Sequence, residues 1–262
     1  LHGGFPAILN DEVVGESARK LFSDGQAMLK KIIDNRWLSA SAVVAFLPAN
    51  TVDDETIELY TDETRSQVAL RWHTLRQQAA KREGVANKAL ADYIAPKFID
   101  GKPSGIADHL GLFAVTAGGG IDRIVARFEA EHDDYSAIMV KAIADRLAEA
   151  LAELMHERVR KDLWGYSPDE TLDNAGLIAE RYRGIRPAPG YPACPAHEVK
   201  APMFEVLQAS DIGMSLTESY AMLPASSVSG FYFAHPQAQY FNVGEIGDDQ
   251  RAAQAARAAK SA

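Results

Sequence analysis

The sequence is short of the residues that cross-link small proteins: its 262 residues include one cysteine, Cys194. One thiol closes no internal disulfide and builds no thiolate cluster, so a reducing, cytoplasmic setting is expected. Basic charge is scarce too, with 27 Lys and Arg against 36 Asp and Glu, a net charge of −9. That balance excludes a nucleic-acid platform, which needs a basic face to displace counterions. No apolar run approaches the ~20 residues of a membrane-crossing helix, and Leu1 opens no charged segment followed by an apolar one. HExxH, a cysteine pair and G-x-S-x-G are all missing, which removes the usual settings of zinc and serine-hydrolase chemistry. What is present, 47% hydrophobic and 24% charged residues, is an ordinary globular composition with material for a sizeable core.

Periodicity then assigns elements. Val14, Ala18, Leu21, Met28 and Ile32 predict a helix from Asn10 to about Asn35, with Asn10 as its cap. Ala42 to Leu47 reads as a buried strand ended by Pro48, and Ile57–Tyr60 and Val68–Trp72 as further strands, the last with Val68, Leu70 and Trp72 on one face. A strand over Leu110–Val115, the run Gly118-Gly119-Gly120 and a short helix with Ile121, Ile124, Val125 and Phe128 on one face follow. From Asp134 to Trp164, Met139, Ile143, Leu147, Leu151, Met155 and Val159 recur every fourth residue, with Leu154 widening the stripe. At ~1.5 Å per residue this helix is about 45 Å long, and Gly165 is placed to stop it. Helices over 172–182 and 198–207, a hairpin of 231–233 with 240–243 around His235-Pro236, and an Ala-rich helix from Asp248 without a strong apolar face complete the reading. No repeat or linker divides the chain, so one mixed domain is expected.

Few segments invite chemistry. The glycine run has the strand-glycine-helix order of a dinucleotide fingerprint, but Arg123 stands where the third glycine belongs, so a tight structural turn is the better reading. His132-Asp133-Asp134 and His156-Glu157 supply ligand types without metal-site spacing, and His156, near Glu153, Glu157 and Arg158, reads as part of a solvated or salt-bridged face. The segment Arg186 to Pro195 is different, with four prolines in ten residues. Proline fixes φ, so its amides and carbonyls are preorganised, and Gly190 permits close approach. Arg186 offers a fork for a carboxylate or phosphate, and Tyr191 a flat amphipathic ring. From the residues alone two readings stand: a ligand-holding loop, or a rigid cover over the core with Arg186 paired to Glu180.

Ile185-Arg186-Pro187-Ala188-Pro189-Gly190-Tyr191-Pro192-Ala193-Cys194-Pro195 resembles the signature loop of the C-terminal activation domain of cobalamin-dependent methionine synthase. Leu9 to Gly15, Asp62 to Arg65, Leu90 to Pro96, Asp133 to Tyr135, Ile138 to Ala142, Asp145 to Ala150, His156 to Arg160, Leu216 to Ser219 and Val228 to Gly230 also resemble that family, in the same order. The resemblance thins only after Gln250.

The resemblance implies a single α+β domain, a bent antiparallel sheet with flanking helices, over residues 1–262. It implies a part of a methyltransferase that performs only reactivation. S-adenosylmethionine methylates cobalamin carried by a neighbouring domain while flavodoxin or a flavoprotein reductase supplies one electron to the oxidised cob(II)alamin. Residue by residue, Arg186 is expected to contact S-adenosylmethionine, Ala188, Gly190 and Tyr191 to hold it through the loop, and Tyr240 and Phe241 to line the same site. Tyr191 is also expected to face the corrin, and Glu149 and Glu180 are weaker candidates near the active face. No catalytic side chain and no protein-held metal are expected, because cobalt is the nucleophile and positioning is the protein's task. The resemblance places a ligand-binding aspartate upstream of Leu1 and a tail beyond the end of the chain. A second reading follows from that aspartate: a docking module for flavodoxin and the cobalamin domain that no longer binds S-adenosylmethionine. An acidic flavodoxin would need a local cluster of Lys and Arg, which the net charge conceals.

Overall fold

The computed structural model describes residues 4–261. Helix α1 (Gly15–Asp34) leads into strands β1 (Ser39–Thr51), β2 (Thr56–Tyr60) and β3 (Val68–His73). A small hairpin of β4 (Phe98–Ile99) and β5 (Lys102–Pro103) precedes β6 (Asp108–Gly119), α2 (Ile121–Ala130) and α3 (Asp134–Arg158). The rest comprises α4 (Asn174–Ile178), α5 (Lys200–Leu207), a second hairpin of β7 (Ser215–Leu216) and β8 (Met222–Leu223), β9 (Ser227–Tyr232) and α6 (Asp248–Ser261). The main sheet has the order β3-β2-β1-β6-β9, and each of its neighbouring strand pairs is antiparallel.

Alternation along the central strands divides the core in two. Leu110, Leu112 and Ala114 of β6, with Phe231 and Phe233, face Trp72, Leu59 and the buried side of α5. Phe113, Val115 and Tyr232 point the other way, onto Ala152 and Val159 at the end of α3. A third cluster joins Met28 and Ile32 of α1 to Ile124 and Phe128 of α2 and Val140 and Ala144 of α3. The α3 helix therefore runs from this helical end across β6 and β9. Its start is capped by Asp133, which accepts from the Ser136 N–H at 3.0 Å.

Several expectations are corrected. β1 does not end at Pro48 but continues to Thr51; pairing with β2 begins only at Ala49, so the missing N–H interrupts no ladder on that side. Val68 is exposed, unlike Leu70 and Trp72, because a bulge shifts the register where Tyr60 meets it. The helix expected over 172–182 closes after Ile178, and Glu180 adopts a left-handed φ of 52°. Residues 240–243 form no strand; Phe233 bridges Ile185 instead, so the edge of β9 is already taken. The buried stripe of α3 is Ala137, Val140, Ala144, Ala148, Ala152 and His156; of the larger residues one position earlier, Met139 and Val159 at the two ends are buried and those between them are only half-buried. Alanine lets the helix axis approach the sheet, while Ile143, Leu147, Leu151 and Met155 flank the contact and Leu154 is exposed.

The glycine run forms a strand-to-helix turn, with Gly120 at φ 87° and Cβ atoms on Gly118 and Gly119 excluded by Pro224 and Ser39. It is followed by α2 and then α3, and both sheet neighbours of β6 are antiparallel, so the βαβ unit of a dinucleotide fingerprint does not form here. The Ala-rich helix α6 is tied down by polar contacts, Gln250 and Arg257 both reaching Glu55.

Candidate functional site

The proline-rich loop is fastened to the open edge of β9. Ile185 and Phe233 exchange backbone hydrogen bonds at 3.2 and 3.0 Å, and the Phe231 N–H donates to the Pro187 carbonyl at 3.0 Å. Gly230 makes this possible, because a Cβ there would collide with the Pro187 oxygen. Further along, the Gly190 N–H donates to the Cys194 carbonyl and the Cys194 N–H to the Tyr191 carbonyl, both at 2.8 Å. Gly190 sits at φ 101° under the His197 ring, where a Cβ would not fit. Cys194 closes the loop onto the core, since the Trp72 indole N–H donates to its sulfur at 2.9 Å and Trp72 stacks on Phe231 at 3.7 Å. Burial pushes the Cys194 thiol up to about 12, so it is an inert packing group.

Between its two fastened neighbours, Arg186 turns its side chain toward α3. The guanidinium meets both carboxylate oxygens of Glu153, with Nη1 3.0 Å from Oε2, and lies 3.2 Å from the Tyr182 hydroxyl and 3.3 Å from His156 Nδ1. Its backbone N–H donates to the Tyr240 hydroxyl at 3.0 Å. Arg186 is thus paired with Glu153 and not with Glu180. Burial opposes its charge, but Glu153 outweighs that and holds the guanidinium above its usual value. Burial raises Tyr240 to about 12, which keeps its hydroxyl protonated.

Behind this layer lies a buried polar set. His156 is fully buried, not on a solvated face; its ring stacks on Tyr232 at 5.2 Å and meets Tyr182 edge-on at 5.0 Å. Burial first, then the charges of Arg160 and Arg186, bring His156 down to about 2, so it is neutral. Arg160, also fully buried, makes a two-pronged ion pair with Glu170 at 2.7 and 2.6 Å and lies 4.0 Å over the Tyr182 ring. A π-helical turn over Val159–Leu163 widens the end of α3, so that Val159 and Arg160, adjacent in sequence, both face inward.

The structure brings Arg186 and Tyr240 together and sets Ala188, half-buried, two residues further along the same loop. Tyr191 is 68% exposed at the loop's tip, and Phe241 packs on the main core. Glu149 stands one turn before Glu153 on the exposed face, paired with Arg146 at 2.9 Å. Glu180 is exposed in the turn after α4, near enough to Tyr182 and Tyr240 to raise both. Glu153, His156, Arg160 and Tyr182 were not singled out from the sequence as partners of Arg186. Two open clefts lie nearby but elsewhere, one bordered by Asp92, Tyr93, His235 and Gln239 and another by His109, Arg183 and His235.

A rigid edge loop, a protonated phenol and a neutral buried imidazole thus meet on one α+β domain. The chain belongs to the family of vitamin B12-dependent methionine synthase activation domains, whose family model matches residues 1–259. Among solved structures it is similar to the MetH reactivation domain, in a crystal structure bound to AdoHcy, at 53% sequence identity over 99% of this chain and 78% of that one, with a TM-score of 0.89. The resemblance carried by the Arg186–Pro195 loop is therefore borne out along the whole chain. Among the described residues no helix is long and apolar enough to cross a membrane.

Proposed function

We propose that the loop from Arg186 to Tyr191, with Tyr240 and Phe241, holds S-adenosylmethionine with its methyl group directed at cobalamin on a separate domain of methionine synthase, for reductive methylation. The reading is carried by unused hydrogen-bonding capacity at a fixed place. Arg186 Nε and the backbone N–H and C=O of Ala188 have no partner among the described residues, although Ile185 and Pro187 are fastened on either side of Arg186. A guanidinium edge suits the ligand's α-carboxylate, and a peptide group suits its amine or ribose. AdoHcy, bound by the similar MetH domain, is S-adenosylmethionine without the transferred methyl, so the same recognition serves both.

Cobalamin, when carried by its own domain, supplies the cobalt that takes the methyl group. This chain contributes position. Arg186 fixes the amino-acid end, Tyr240 offers a protonated hydroxyl and a ring, and the exposed Tyr191 ring offers a flat cover against adenine or corrin that excludes water. Glu149 and Glu180 supply carboxylates on the same side as weaker candidates. Flavodoxin or a flavoprotein reductase serves as the one-electron donor, the methylation of homocysteine belongs to other modules, and a reducing cytoplasm suits the free thiol of Cys194. Isothermal titration with AdoHcy tests this reading. The wild-type chain is expected to bind, and Arg186→Ala to bind at least about tenfold more weakly, as for loss of a two-pronged charged contact. A correctly folded wild type that binds no ligand but captures the cobalamin domain would leave the docking reading instead.

A further inference from the structure

The buried histidine of α3 has two ring nitrogens with two different partners, and that pair of contacts decides its tautomer. A guanidinium can only donate, so His156 Nδ1, 3.3 Å from Arg186 Nη1, is an acceptor. The proton is therefore on Nε2, which donates to the Tyr166 hydroxyl at 3.3 Å. Tyr232 and Tyr182 clamp the ring on its face and edge, so the acceptor is fixed in place. The Tyr182 hydroxyl, 3.2 Å from the same Nη1, is fixed in turn by Arg160 over its ring. Glu153 differs, because it is 45% exposed and rides on the helix surface.

The buried contacts therefore meet one end of the fork. They hold Nη1 inward and leave Nε, which has no partner among the described residues, on the opposite edge. We propose that His156 is a positioning residue that, with Tyr182, fixes the guanidinium of Arg186 from inside the protein so that its Nε edge is the one presented to the ligand's carboxylate. This rests on the S-adenosylmethionine reading for the identity of the ligand, but the aim of the fork is a property of the chain itself. An apolar side chain would fill the same space without aiming the arginine. The residue needs an acceptor at the δ position on a rigid stem.

Asparagine and glutamine separate this role from simple packing. His156→Asn keeps an acceptor where Nδ1 stands, whereas His156→Gln moves its polar atoms to the place of Nε2. The chain and its variants are compared by titration with AdoHcy, by thermal melting, and by the ¹⁵N relaxation of the Arg186 Nε–H without ligand. His156→Asn is expected to bind within about twofold of wild type, and His156→Gln about tenfold more weakly with a mobile Nε–H, at similar melting temperatures. Tyr182→Phe, which keeps the ring and removes one acceptor, is expected to lose about threefold. Equal affinity of wild type and His156→Gln, or equal losses for Asn and Gln, would overturn the proposal. If His156→Gln does not fold, Tyr182→Phe decides, and unchanged affinity with an unchanged Nε–H signal overturns it. A wild type that binds no AdoHcy, but whose Nε–H becomes mobile in His156→Gln, would sink the ligand reading and leave the positioning role standing.

Discussion

Replacing Glu170 by glutamine removes the anion paired with the fully buried Arg160. Arg160 Nε and Nη2 donate to the two Glu170 oxygens at 2.7 and 2.6 Å, while Nη1 is buried with no hydrogen-bond partner. Breaking a buried ion pair on one side costs about 3–5 kcal/mol, because the remaining charge is left without compensation. The face of Tyr182, 4.0 Å from the guanidinium, offsets about 1 kcal/mol of that. The glutamine carbonyl can still accept one hydrogen bond, which returns about another 1 kcal/mol. Glu170→Gln is therefore expected to lose about 1–3 kcal/mol, read as a lower urea midpoint at unchanged slope. At about 2–4 °C per kcal/mol for a chain of this size, melting should fall by about 2–12 °C. Combining it with Arg160→Met removes the stranded charge and should recover at least half of the loss. A loss below about 1 kcal/mol in Glu170→Gln, or a double variant less stable than the single one, would refute the view that this pair is buried and coupled.

Three further outcomes follow from the same geometry. His156 is lowered from 6.5 to about 2 by burial and two arginines, so below pH 6.5 the unfolded chain takes up a proton that the folded one refuses. Stability should thus fall by up to about 1.4 kcal/mol per pH unit on acidification through that window, and urea titrations of His156→Asn should show a shallower slope than wild type. Gly230→Ala would drive a methyl group into the Pro187 carbonyl; a loss of about 1–3 kcal/mol is expected, together with faster amide exchange at Phe231. Cys194, raised from 9.0 to about 12 by burial, should resist a thiol reagent at pH 8 until the chain unfolds, and reaction at the rate of a free thiol would contradict its packing against Trp72. The sign of that shift also predicts stability declining between pH 9 and 12, where only the unfolded thiol ionises.

The elements most legible in the sequence were those with a clean period or an unmistakable composition. The helical stripe of α3, the strands around Leu59 and Leu112, and the loop with four prolines all appear in place. The helix length was legible but its face was not. Large residues and alanines both recur every fourth position along α3, and hydrophobicity alone favours the large ones. Close packing on β6 selects the alanines instead, which carries His156 and then Arg160 into the interior. A signal was present: the series Ala144, Ala148, Ala152, His156, Arg160 continues one face from small to polar residues. Charged neighbours concealed it, because Glu153 and Glu157 suggested a solvated side. Tyr240 lay beyond any local pattern, since its contact with Arg186 spans 54 positions and came into view only through the family resemblance. The failed hairpin of 240–243 has the same origin, for nothing local to Phe233 shows that Ile185 occupies the edge beside it.

The central claim is that Arg186 and its loop hold an S-adenosyl ligand, and a crystal structure of this chain grown with AdoHcy tests it most directly. The ligand's carboxylate is expected on the Nε edge of Arg186, its polar groups on the Ala188 peptide and its adenosine beside Tyr240. Ligand bound in the cleft of Tyr93 and His235 with Arg186 unchanged, or crystals with no ligand at saturating concentration, would contradict it.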